Sequence, residues 1–105
     1  RQPNGVLAPL LQGYLTRHIA VELSTVSTPV STVPHGGAGL VDPADRSLAH
    51  LYLSHEYVLQ RVDGNLIHLY NPHAGGGQLG RGLTEDEVRR YFSSTTISGR
   101  PVADH

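Results

Sequence analysis

SHEYVLQRVDGNLIHLYNP, residues 54–72, is the stretch on which the reading of this chain turns. Two runs rich in β-branched and aromatic residues, HEYVLQRV (55–62) and NLIHLYN (65–71), flank Asp63-Gly64. Glycine tolerates the positive φ of a tight reversal, so the pattern predicts a β-hairpin. A hairpin returns the chain to its start, which brings His55 and Asn71 together at its open end. Register decides whether they share a face, because side chains alternate with a period of two. A two-residue Asp63-Gly64 loop sets Asn71 opposite Glu56, with His55 on the other side of the sheet. A three-residue Asp63-Gly64-Asn65 loop sets Asn71 opposite Tyr57 on the face of His55, and Leu59 against Leu69. In that second register a carboxamide holds an imidazole, as in catalytic sites where a third group fixes the base's orientation and tautomer.

On the N-terminal side, VLAPLLQGYLTRHIAVE (6–22) repeats Leu7, Leu10, Leu11, Tyr14, Leu15, His18 and Ile19 at helical spacing. The spacing predicts an amphipathic helix over 6–22, with Pro9 tolerated in its first turn. LSTVSTPVSTVP (23–34) is dense in Ser, Thr and Val, and the residues after Pro29 read as a strand. HGGAGLVDPADR (35–46) reads as a mobile surface loop, since its glycines lack the spacing and the lysine of a phosphate-binding loop. Leu48, Leu51 and Leu53 then lead, as core residues, into the first hairpin strand.

On the C-terminal side, HAGGGQLGRG (73–82) is a glycine-rich loop. Thr84 with Glu87 three residues on is a capping box that opens a short helix, and Glu85-Asp86-Glu87 favour the positive end of its dipole. Val88, Tyr91 and Phe92 form its buried side. SSTTIS (93–98) reads as a final strand, followed by a frayed tail over 102–105.

The hairpin sequence, the glycine-rich loop and LTEDEVRRYF (83–92) together resemble the C-terminal catalytic lobe of calpain-like, papain-fold cysteine peptidases. In that family a Gly-His-Ala-Tyr strand and a hairpin precede Asn-Pro-Trp-Gly, and an acidic helix ending in an aromatic pair follows. Ser54-His55-Glu56-Tyr57 stands for the first element, Asn71-Pro72-His73-Ala74 for the second and residues 83–92 for the third. The resemblance spans about residues 29–101. It implies His55 as general base and Asn71 as its orienting partner. His73 takes the place of the tryptophan that shields the pair, and Glu56 that of the small residue after the histidine. The implied fold is a small antiparallel sheet or half-barrel with an N-terminal helix and a short helix towards the C-terminus, an α+β lobe. The implied parent is a thiol peptidase or related acyl-transfer enzyme, with a secreted effector or toxin domain as one setting.

The family's nucleophile is missing, because the 105 residues contain no cysteine. A thiol would therefore come from a Cys-bearing lobe or a partner chain, and the substrate would be a peptide or protein. The alternative is a degenerate, non-catalytic module that binds peptides or a partner. Arg1 in first position suggests processing or excision from a longer chain. The length suits one domain, with a helical segment over about 6–22 and a β-rich lobe over about 28–101.

Eight basic residues, all arginine, against nine acidic ones give a formal net charge of −1, which argues against a general nucleic-acid-binding surface. No apolar run is long enough to span a bilayer. Without cysteine there are no disulfides or thiolate metal sites. Seven histidines are many, and His50, His55, His68 and His73 fall close together. Histidine is the commonest metal ligand, yet no HExxH or comparable helical pair occurs, so neither metal nor cofactor is expected. A metal-free hydrolase or nuclease built on several histidines is a third, weaker reading.

Overall fold

The structure is a computed structural model and describes residues 5–73, 77–97 and 100–104. Strand β1 (Val21–Thr25) lies at the middle of an antiparallel sheet, flanked by β2 (Glu56–Asp63) and β5 (Phe92–Ile97). Beyond β2 come β3 (Leu66–Asn71) and the two-residue β4 (Gly77–Gln78); beyond β5 comes β6 (Arg100–Asp104). Helix α1 (Leu7–Thr16) contacts β1 and β2, and α2 (Glu85–Tyr91) contacts β3 and β5. The chain is thus a small α+β domain.

Why β1 forms at residues 21–25 is visible in its alternation: Val21, Leu23 and Thr25 are buried, whereas Glu22 and Ser24 are half-buried. This corrects two expectations. The helix predicted over 6–22 ends at Thr16; His18 takes a left-handed φ of 58°, and the chain reverses into β1. The strand expected after Pro29 is not one, so the β-rich part begins at Val21 rather than near 28. Ladders on both edges of VELST outweigh the helical spacing of its neighbours, since the two-sided pairing satisfies its backbone groups. The tail expected to fray from 102 instead continues as β6, which pairs with β5 as far as Asp104; His105 lies outside the described residues.

One apolar cluster joins both helices to the inward face of the sheet. It includes Leu7 and Leu11 of α1, Leu23, Tyr57, Ile67 and Leu69 of the strands, and Val88 of α2. The thirty-odd residues between β1 and β2 also enter it, through Val41, Leu48 and Leu51, all fully buried. The loop at 35–46 is therefore pinned, not the mobile surface loop expected. Asp42 accepts hydrogen bonds from the Ser31 hydroxyl and, at 2.6 Å, from the Tyr91 hydroxyl, while Val41 N–H bonds the Leu51 carbonyl. Burial acts to raise the Asp42 pKa, but the Ser31 and Tyr91 hydrogen bonds and the Arg90 charge hold it below the ordinary carboxylate value. At Gly37, φ is +78° and a Cβ would meet Pro43 at 2.5 Å, so glycine is required there.

Both helices start on a carboxylate. Thr84 and Glu87 form the expected capping box of α2. Val6 gives α1 no side-chain cap; Glu85 does so from the other helix, accepting from Ala8 N–H at 2.7 Å and Gly5 N–H at 2.6 Å. Arg81 ties α2 to the long loop by a bidentate pair with Glu87 (2.9 and 2.6 Å) and a bond to the Ser47 hydroxyl (2.8 Å).

Candidate active site

The hairpin closes by a route that neither sequence register anticipates. Asp63 pairs with Leu66, leaving Gly64-Asn65 as a two-residue turn in which φ is positive at Gly64 and not at Asn65. Val62 then pairs with Ile67 and Arg61 with His68, but the next pair is Leu59 with Leu69. Gln60 is the extra residue of a β-bulge. Carried on without it, the turn's register would set Asn71 opposite Val58, on the far face. The bulge restores the parity, so Val58 pairs with Tyr70 and Asn71 falls beside Tyr57. The expected pairing of Leu59 with Leu69 is present, reached through a shorter turn and a bulge.

At that open end His55 and Asn71 meet. His55 Nε2 lies 2.9 Å from Asn71 Oδ1, which also accepts from His73 N–H at 3.0 Å. The second contact settles the chemistry of the first. A backbone N–H only donates, so the amide atom facing it must be the oxygen. That oxygen only accepts, so Nε2 carries the hydrogen. In the neutral ring the lone pair then sits on Nδ1, which has no hydrogen-bond partner among the described residues.

Three aromatic rings surround the imidazole. Tyr57 and Tyr52 present edges at centroid distances of 5.2 and 6.2 Å, and the His73 ring lies tilted against it at 4.5 Å. Tyr57 is fully buried; its hydroxyl donates to the His50 carbonyl and accepts from Tyr52 N–H, both at 2.8 Å. Burial pushes its pKa up to about 12, so it stays neutral and anchors the turn before His55. Glu56, the next residue, is exposed and lies close to Glu22, whose carboxyl pKa is raised first by hydrogen bonding with Glu56, then by burial and by the like charge.

The backbone under His55 is held by a residue that sequence reasoning passed over. Thr25 Oγ1 accepts from His55 N–H (2.9 Å) and donates to the Tyr52 carbonyl (2.6 Å), while Thr25 N–H bonds the His55 carbonyl (2.9 Å). Its position in VELST was the available signal: a hydroxyl at an inward site of a strand must find a buried partner. Ser54, immediately before His55, takes φ 49°, left-handed for a non-glycine residue. Such local strain persists only where surrounding contacts impose it, here Ser54 N–H on the Val26 carbonyl and the Thr25 clamp.

A groove of about 620 Å³ opens beside the pair, walled by residues that include Ser27, Thr28, Ser54, His55 and Glu56. His68 lies elsewhere, 3.3 Å from Asp63 at the turn end of the hairpin. No group of three potential ligands among the described residues is placed to hold a metal ion, and no described helix is long and apolar enough to cross a membrane. The arrangement can orient an imidazole and leaves its other ring nitrogen without a hydrogen bond among the described residues, but the chain offers no thiol for it to activate. No protein-family model matches the chain, and comparison with curated proteins and with solved structures finds no match.

Proposed function

We propose that this domain is the His- and Asn-bearing lobe of a papain-fold thiol peptidase or related acyl-transfer enzyme, of the calpain-like kind. The observation that carries the reading is the 2.9 Å contact between His55 Nε2 and Asn71 Oδ1. With Nε2–H engaged, His55 Nδ1 takes the proton of a cysteine supplied by another segment or a partner chain. The thiolate attacks a carbonyl carbon, and the imidazolium returns the proton to the leaving amine. Asn71 holds the ring through both steps, and His73 screens their hydrogen bond from water. The 105 residues alone are inactive, since proton acceptance without a nucleophile transfers no acyl group.

The test is made on the assembled protein that contains this segment and the cysteine. His55→Ala should lower peptide hydrolysis by about 10²–10⁴-fold, the range of general acid–base catalysis. It should also slow alkylation of the cysteine by iodoacetamide at pH 6, because the thiolate loses its imidazolium partner. An assembly whose thiol reacts equally fast with and without His55 refutes the reading.

The groove favours a second reading, a non-catalytic module that binds an extended peptide. It predicts peptide binding by the isolated chain and no hydrolysis by any assembly.

A further inference from the structure

Among the clefts of the molecule, the groove beside His55 combines features that the catalytic pair does not account for. Its volume of about 620 Å³ is in the range that holds a drug-sized ligand or two to three peptide residues. One wall is the exposed stretch Ser27-Thr28, where the chain has left β1. Its neighbours are committed: Val26 N–H bonds the Tyr91 carbonyl, and the Val26 carbonyl accepts from Ser54 N–H. The main-chain groups of Ser27 and Thr28 have no hydrogen-bond partner among the described residues. A short, unpaired, accessible stretch of backbone is what an extended peptide pairs with when it adds to a sheet edge.

The facing wall carries a charge. Glu56 is exposed on the groove, one residue after His55, and Glu22 lies diagonally across from it on the neighbouring strand, close enough to raise the Glu22 pKa. Neither carboxylate has a basic partner among the described residues, whereas Asp45, Asp63, Glu85 and Glu87 all do. Among the described side chains of the sheet, the carboxylates without a basic partner therefore sit at the groove. A cationic side chain entering there would gain attraction from Glu56 and Glu22.

We infer that this groove receives an extended peptide whose backbone pairs with Ser27-Thr28 and whose arginine or lysine side chain lies against Glu56, next to His55. The inference rests on the reading of this end of the sheet as a peptide site. It adds the substrate class, a basic peptide.

The experiment is an ¹⁵N-amide NMR titration of the 105-residue chain with three blocked pentapeptides, alanine throughout except for a central arginine, norleucine or glutamate. The arginine peptide should shift the amides of Ser27, Thr28 and Glu56 and bind about 5-fold more tightly than the norleucine peptide, the size of an exposed ion pair. The glutamate peptide should bind more weakly still. Glu56→Gln should bring the arginine peptide to the norleucine level, and 1 M NaCl should do the same to the wild-type chain without any substitution. Equal binding of all three peptides, shifts confined to the Arg61–His68 side of the hairpin, or an arginine preference that survives Glu56→Gln would each overturn the inference. The two readings separate because the preference is read on the isolated chain and catalysis on the assembled protein. An arginine preference with no His55-dependent hydrolysis counts against the catalytic reading only, and His55-dependent hydrolysis without the preference counts against this inference only.

Discussion

At the level of single residues, the imidazole of His55 is held from three sides, and each support makes a separate prediction. The Asn71 carboxamide selects the Nε2–H form, so long-range ¹H–¹⁵N spectra of the neutral ring should show one tautomer, and Asn71→Ala should give a mixture of two. Thr25 holds the peptide unit. Thr25→Val strands the part-buried His55 N–H and should cost about 1–2 kcal/mol in denaturant unfolding, whereas Thr25→Ser keeps the hydroxyl and most of the stability. Ser54 bears the local strain. Ser54→Gly should be tolerated, and Ser54→Val should cost about 1–2 kcal/mol, because a β-branched side chain is least at ease with φ near +49°. The His–Asn partnership could be anticipated in the sequence from two residues closing one hairpin. For the Thr25 clamp the sequence signals only a hydroxyl in need of a partner, not which partner, because the clamp joins residues thirty positions apart and depends on where β1 ends.

At the level of elements, the hairpin shows why local pattern gave the destination and not the path. The Asp-Gly signal marks a turn within one residue of its true place, but a bulge has no composition of its own, and Gln60 looks like any polar strand residue. Parity makes that residue indispensable. Deleting Gln60 would turn Tyr57 and Leu59 away from the core or carry Asn71 to the opposite face, so the deletion should destabilise the fold far more than Gln60→Ala, as read by urea midpoints. The capping box of α2 was legible because it is local, four residues long and made of preferred types. The cap of α1 was not, since Glu85 reaches it from 77 residues away in sequence. Glu85→Ala removes a charged acceptor from two N–H groups and should cost about 2–3 kcal/mol, more than the ~1 kcal/mol expected of Thr84→Ala. The long helix expected over 6–22 fails for the same reason: what ends it is the demand of two strands for a partner, and those strands lie far down the chain.

At the level of the whole molecule, one apolar layer supports everything, and two buried or paired carboxylates tune it in opposite directions. The lowered pKa of Asp42 means that its contribution is complete above the unfolded-state value near pH 4 and is lost as the pH falls through the folded one. The raised pKa of Glu22 does the reverse, contributing at low pH and fading as the pH rises through its folded value. Asp42→Asn should therefore flatten the acid limb of a stability-against-pH curve, and Glu22→Gln should help most at neutral pH. Both are read from urea midpoints between pH 3 and 7. The order of the sheet has a further consequence for how the chain is made. β1 leaves the ribosome before either of its partners, and its two flanking ladders wait, one for β2 and the other for residues as much as 76 positions downstream. During synthesis the strand that ends at Thr25 is a bare ribbon with both borders open, and closure over such distances is slow, in the millisecond-to-second range of non-local sheets. A nascent chain halted before Phe92 should consequently depend on a chaperone to stay free of aggregates.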